Sequence, residues 1–458
     1  MTLQHRWRRR AASATLAAML AGGSLAGTLL TAQAASADSW RDKEYWLNDY
    51  GISAAWQVSK GAGVKVAIID SGVDGQHPDL KGAVVGGTDA SGAGDPDGQK
   101  SIGAKPEHGT LVATLLAGRG HASADASASA SPSPASGVGP DGIVGVAPEA
   151  EILSVSAWLG SPNPAGKTDQ EQIPEAVRWA VDNGAKVINI SLGSTSPDWP
   201  QSWDAAFLYA EQKDVVIVAA AGNRIGGNVQ VGAPATIPGV LTVAGLDRNG
   251  TASVDASSQG ISIGVSAPAE NLVGGLPGGS YEDWAGTSGS APIVSGVAAL
   301  IRSKWPDMSA KQVINRIVST AEDAGVAGKD PIYGYGILNA EAALTADVPE
   351  ATSNPEGSIA DWIRVHRRGD LSNPTPSPSA KPSSPPAALA DPTVPVAKTP
   401  TEADTAVPAT VVLGFGLLFA GIIAGASIHL TRAYRISHGL RKEPRTSGVE
   451  VVDPGTRK

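Results

Sequence analysis

The chain has no cysteine among its 458 residues, which excludes disulfides, thiolate metal sites and thiol nucleophiles together. If the folded part works outside the cytoplasm, packing alone must hold it. No dense basic stripe runs through the middle of the chain. With 44 acidic against 35 basic side chains, there is no electrostatic footprint for nucleic acid. A complete oxygen set for a divalent cation is also missing, because Asp89, Asp95 and Asp97 share one acidic loop that polar turns explain. The expectation is no metal and no cofactor. Histidine is scarce, with seven in the chain.

What is present is unevenly distributed. Arg6, Arg8, Arg9 and Arg10 precede an apolar run over residues 11–30 and the small-residue stretch Ala35, Ser36, Ala37, the layout of a secretory signal cleaved after residue 37. An uncleaved anchor is the competing reading, but the run is rich in Ala, Gly and Ser and only weakly hydrophobic. Residues 409–430 carry no formal charge, a length that crosses about 30 Å of hydrocarbon at 1.5 Å per residue. The tail at 431–458 is basic, so the positive-inside bias places it in the cytoplasm and everything from Asp38 to the anchor outside. Ten prolines lie between residues 372 and 408, and a Pro-rich linker is expected over 349–408. Residues 122–136 hold six Ala, six Ser, two Pro and one Asp, so a disordered loop is expected within 119–140.

The remaining stretch, 38–348, reads as one globular domain. Apolar runs at 64–69, 152–155, 187–190, 215–219 and 240–243 predict buried strands. Helical patterns at 174–183, 203–212, 291–304 and 310–320 lie between or after them. Strands alternating with helices predict a parallel α/β sheet whose site lies at the carboxyl ends of its strands.

Three residues stand out there. Asp70 leaves the first strong strand into a Ser-Gly turn, where a turn role is the simpler reading of that residue alone. Asp74 and Asp79 read as turn or cap residues. His108 opens the apolar helical pattern of 108–117, whereas His77 sits in a polar turn before Pro78 and reads as a surface residue, and His121 borders the Ala/Ser loop. Ser288, in Gly286-Thr287-Ser288-Gly289-Ser290-Ala291-Pro292, precedes an apolar helix whose N-terminal amides could stabilise an oxyanion. An ordinary N-cap is the competing reading.

The ordered set Asp-Ser-Gly, His-Gly-Thr and Gly-Thr-Ser-x-x-x-Pro resembles the subtilase family, over roughly residues 40–344. VINISLG at 187–193 and AAAGN at 219–223 are similar to the family as well. The resemblance implies a subtilisin-like parallel sheet flanked by helices, a serine endopeptidase with Asp70, His108 and Ser288 as its triad, and Asn223 as side-chain oxyanion donor. It implies Ser191, Leu192 and Gly193, with Ala221 and Gly222, as walls of the polypeptide cleft. Glu107 stands where the family has Gly, and Gly289 where it has a bulky apolar residue; these departures predict a raised His108 pKa and a loosened nucleophile. Signal, catalytic domain, stalk, single membrane helix and basic tail together resemble the mycosins, implying association with type VII secretion. A general cell-surface subtilase, or a structural subunit whose proteolysis is dispensable, are the alternatives. Only 32 residues separate Ala37 from Asp70, so no long pro-domain is expected and the start of the domain is expected to pack on the rest.

Overall fold

In the computed structural model, residues 39–122, 139–367, 424–429 and 431 are described. The chain divides into two units, 1–372 and 373–458. In the first, the strands are β1 (Lys65–Asp70), β2 (Val84–Asp89), β3 (Arg119–His121), β4 (Asp141–Val144), β5 (Glu151–Ser156), β6 (Val187–Ile190), β7 (Val216–Ala220), β8 (Leu241–Leu246), β9 (Ile263–Pro268), β10 (Leu272–Leu276) and β11 (Ser280–Trp284). The helices are α1 (Trp46–Asp49), α2 (Ile52–Ala55), α3 (His108–Ala117), α4 (Asp169–Asp182), α5 (Asp204–Gln212), α6 (Thr287–Lys304), α7 (Ala310–Ser319), α8 (Ala340–Thr345) and α9 (Ile359–His366).

A strand apolar on both faces must be covered on both, and the seven-stranded parallel sheet β2-β5-β1-β6-β7-β8-β9 is. Alternation along each strand divides the core. Val66 and Ile68 of β1, with Val216 and Val218 of β7, face the layer of α3, α6 and α7. Ala67, Ile69, Ile217 and Ala219 face α4 and α5. The five predicted strands occur with their ends shifted by a few residues at most. Two more were not legible. β2 is a glycine-containing edge strand without an apolar run, and the apolar pattern of β9 is broken by Gly264, Ser266 and Pro268.

The start of the domain packs as expected. Trp46 and Ile52 are fully buried, and Trp56 donates from Nε1 to the Val146 carbonyl at 2.8 Å. Two boundaries differ from expectation. The loop expected from residue 119 begins with β3, which pairs antiparallel with β4, so only 123–138 lie outside the described residues. The linker expected from 349 is folded as far as 367. There α9 packs on α5, burying Ile359, and sets Trp362 against Trp199 with ring centroids 4.4 Å apart. An apolar i, i+3, i+4 pattern at 359, 362 and 363 carried that signal, but the neighbouring prolines masked it.

The signal at 1–37, most of the linker, most of the run at 409–430 and the tail fall outside the described residues. Residues 424–429 are helical, and no helix among the described residues is long and apolar enough to cross a membrane.

Candidate active site

β1, β6 and β7 are neighbours in the sheet, and the candidate residues Asp70, Ser191 and Asn223 lie at or just past their carboxyl ends. Asp70 ends β1. Its Oδ1 accepts the His108 Nδ1 proton at 2.8 Å and the Ser71 amide at 2.7 Å, and Asp70 is only 1% exposed. Because a carboxylate only accepts, Nδ1 carries the proton and Nε2 keeps its lone pair, as a general base requires. Ser71 completes the alignment by accepting the Gly109 amide on its hydroxyl at 2.9 Å and donating to the Pro106 carbonyl at 3.2 Å. This ties the end of β1 to the first turn of α3. Gly109 is obligatory there, since a β-carbon on it would lie 2.2 Å from the Gly72 carbonyl oxygen.

Burial opposes protonation of His108, yet the Asp70 charge and hydrogen bond outweigh it and hold its pKa above the ordinary value of 6.5. Glu107 raises it too, but as the smallest contributor, and Lys105 opposes it. The expected pKa rise therefore occurs, with Asp70 as its main source.

Ser288 lies inside the first turn of α6, which begins at Thr287. Its hydroxyl donates to the Ser191 carbonyl at 3.1 Å. A hydroxyl has one proton, so donation to His108 Nε2 requires Oγ to leave Ser191. The other serine of the motif, Ser290, is fully buried and donates to the Pro268 carbonyl at 2.8 Å. Asn223 follows β7, and its Oδ1 accepts both the backbone N–H and the hydroxyl of Thr287, each at 2.9 Å. With the amide oxygen fixed on α6, Nδ2 is the donor left to meet an oxyanion.

Ser191 does more than line a cleft. The carbonyl of Ser288 would find its helical partner at residue 292, but Pro292 has no N–H. The Ser191 hydroxyl fills that place, donating to the Ser288 carbonyl at 2.8 Å. Ser191 Oγ in turn accepts from Asn189 Nδ2, and Asn189 Oδ1 accepts from Ser295, both at 2.9 Å. Sequence reasoning missed Asn189, Ser295, Ser71 and Thr287. Asn189 and Ser295 showed only as polar residues inside apolar runs, while Ser71 and Thr287 stood in the quoted motifs with no role assigned. Of the other cleft residues, Gly193 and Gly222 face each other, a β-carbon on Gly193 reaching 3.8 Å from the Gly222 α-carbon. Leu192 packs partly on the core, and Ala221 is 1% exposed, so its methyl belongs to the core and only its backbone can border a substrate.

Gly289 is not a loosening residue. A β-carbon there would lie 2.3 Å from Leu272 Cδ1 and 3.4 Å from Trp284 Cζ2. Leu272, Leu115 and Trp284 fill the space, and the Trp284 ring also meets the His108 ring edge-on at 6.0 Å. The surface role expected for His77 is overturned as well. His77 is fully buried, accepting the Asp79 amide on Nδ1 at 3.2 Å and bonding the Ser280 carbonyl through Nε2 at 3.3 Å. Asp79, also fully buried, receives His121 Nδ1 at 2.6 Å, the Ile143 amide at 2.8 Å and the Tyr281 hydroxyl at 2.9 Å. In the acidic loop, Asp89 accepts from Ser91, Gly94 and Ser156. Among the described residues no group of three acidic or histidine side chains is placed to hold a metal ion.

An imidazole oriented by a buried carboxylate, a serine in the first turn of a helix and an amide pinned to that helix lie on a parallel α/β sheet, and these are groups a serine hydrolase site requires. Comparison with known proteins agrees. The Subtilase family matches residues 61–336, and the chain belongs to that family of serine endopeptidases. It is mycosin-like within it. Mycosin-4 of Mycobacterium tuberculosis is 33% identical over 398 residues, covering 77% of this chain and 79% of that protein. Subtilisin DY of Bacillus licheniformis is 36% identical over 288 residues, 62% of this chain and 92% of that protein. The crystal structure of MycP1 without its N-terminal propeptide superposes with a TM-score of 0.54 at 32% identity, covering 67% of this chain and 98% of that one. The MycP3 protease of the type VII (ESX-3) secretion system does so with 0.52 at 34% identity, covering 66% and 88%.

Proposed function

We infer that Ser288 is the acylated nucleophile, His108 its base and Asp70 the group that orients and steadies the imidazolium. The carrying observation is the 2.8 Å Asp70–His108 bond on a helix tied through Ser71 to β1. Ser288 turns from Ser191 to His108 Nε2, gives up its proton as it attacks the carbonyl, and the proton passes to the leaving amine. Asn223 Nδ2 and the Ser288 amide hold the oxyanion. A fluorophosphonate should label Ser288 in the wild type and leave the Ser288→Ala protein unlabelled; label on Ser290 would sink the assignment.

The same reading places the enzyme at the outer face of a membrane, held by residues 409–430, beside a type VII secretion complex. Its supports are the apolar run, the basic tail and the likeness to mycosins. Protease added to intact spheroplasts should remove the catalytic domain and spare an epitope after Lys458. In a deletion strain, restored secretion with Ser288→Ala protein would assign the complex a structural need for the chain; failure with a folded, inserted protein would make cleavage the requirement.

A further inference from the structure

The imidazole assigned as base is bonded at one corner. Asp70 accepts its Nδ1 proton at 2.8 Å, but a hydrogen bond tolerates roughly 30° of misalignment and rotation about the bond to an aromatic ring is broad. Tilting within that tolerance moves Nε2, the atom that must meet the nucleophile, and a misplacement of about 1 Å can lower a rate by about a hundredfold. A second contact on the ring removes the freedom.

Trp284 supplies that contact. Its ring meets the His108 ring edge-on, with centroids 6.0 Å apart and planes at 82°, an arrangement that aromatic pairs favour. The indole is itself confined. Trp284 ends β11 and pairs with Leu272 of β10, and this hairpin is fastened to the helix that bears His108, because the Gly275 amide donates to Thr114 Oγ1 of α3 at 2.9 Å. At the other end of the hairpin, the Gly278 amide donates to Asp74 Oδ2 at 2.8 Å. Gly274 leaves room for the indole, since a β-carbon there would lie 3.0 Å from Trp284 Nε1 and 2.7 Å from Leu111 Cδ2. Nε1 is buried and meets no hydrogen-bond partner among the described residues, so packing alone sets the place of the ring. Ser288 follows four positions later. The hairpin thus joins the helix of the base to the helix of the nucleophile.

We propose that Trp284 is a positioning residue for the proteolytic reaction: its flat ring fixes the tilt of the His108 imidazole, so that Nε2 stays turned toward the Ser288 hydroxyl. It acts through His108. The inference rests on His108 as base and Ser288 as nucleophile.

The test uses the full chain, a peptide anilide as substrate and fluorophosphonate labelling of Ser288. Trp284→Leu keeps apolar bulk but no flat face, whereas Trp284→Phe keeps a face without the unpartnered N–H. With Leu, kcat and the labelling rate should fall by about tenfold or more while KM stays within about twofold; with Phe, kcat should stay within about threefold of the wild type. Proton NMR reads the hold on the ring directly, because an Nδ1–H bonded to a carboxylate resonates far downfield and broadens as the ring loosens and the proton exchanges with water. That signal should be sharp in the wild type, broadened with Leu and recovered with Phe. If Trp284→Leu does not fold, Trp284→Met carries the same comparison. Wild-type kcat in a ring-less variant overturns the proposal. So does a loss confined to KM, or a loss with Phe as large as with Leu in proteins that melt alike. No labelling of Ser288 in the wild type would overturn the nucleophile assignment instead, a distinct result because Trp284 is then intact.

Discussion

At the scale of the residue, the partly buried His108 and the fully buried His77 respond to pH in opposite directions. In the proposed mechanism His108 must be neutral to take a proton, and Asp70 holds its pKa above 6.5 despite the opposing effect of burial. The acid limb of kcat/KM should therefore have its midpoint above 6.5, and NMR titration of His108 in Asp70→Asn should move below the wild-type value. Activity of that variant should fall by about 10⁴. Glu107→Gln should shift the limb down only slightly, because Glu107 is the smallest contributor to the rise. Stability follows the same logic. The raised His108 contributes stability fully present below about 6.5 and lost as pH rises through its folded value. His77 behaves inversely. Burial lowers its pKa against the pull of Asp79 and Asp74, so stability is lost as pH falls from about 6.5 through the lower folded value. Urea denaturation at neutral and mildly acid pH should show a smaller acid loss in His77→Asn, whose amide oxygen can still accept the Asp79 N–H; an unchanged loss would assign the effect elsewhere.

At the scale of the element, α6 is a helix with one missing bond that another element supplies. Ser191→Ala leaves the Ser288 carbonyl without a partner, an expected cost of about 1–3 kcal/mol. Pro292→Ala restores an N–H at the helical position, so the double variant should recover part of the loss in denaturant titrations. A strictly additive pair would show that Ser191 does not act through that carbonyl. The same helix tests the crowding at Gly289, where Leu272 is the nearest side chain. Gly289→Met should destabilise by roughly 1–3 kcal/mol through overpacking against Leu272, and adding Leu272→Ala should return some of it. Thermal melts of the three proteins decide.

At the scale of the whole molecule, the catalytic unit reaches past its last strand and helix bundle to residue 367. Arg367 donates to Asp204 and to the Trp199 carbonyl, each at 3.0 Å, and Ile359 closes the apolar side of α5. A chain ending at residue 348 should therefore melt well below one ending at 367, since removing the buried Ile359 from the α5 face alone forfeits roughly 1.5–3 kcal/mol. Equal melting temperatures would reduce α9 to a passive tether.

The sequence by itself determined the fold class, the strands at the middle of the sheet and the three motifs of the site. Those features are local: uninterrupted Val and Ile runs can be satisfied only inside a covered sheet, and Asp70, His108 and Ser288 sit where runs end or helices begin. Tertiary structure decided what depends on neighbours distant in the chain. It set Ser191 against a carbonyl that Pro292 leaves open and placed Leu272, Leu115 and Trp284 in the space beside Gly289. It also buried His77 beneath Tyr281. Whether a polar side chain is exposed, capped or buried depends on which remote groups meet its hydrogen bonds and fill its surroundings, and those partners lie far along the chain: Asp79 is satisfied by His121, Ile143 and Tyr281. Periodicity records which residues must avoid water. The identity of the partner that lets a polar one do so emerges only when the chain has folded.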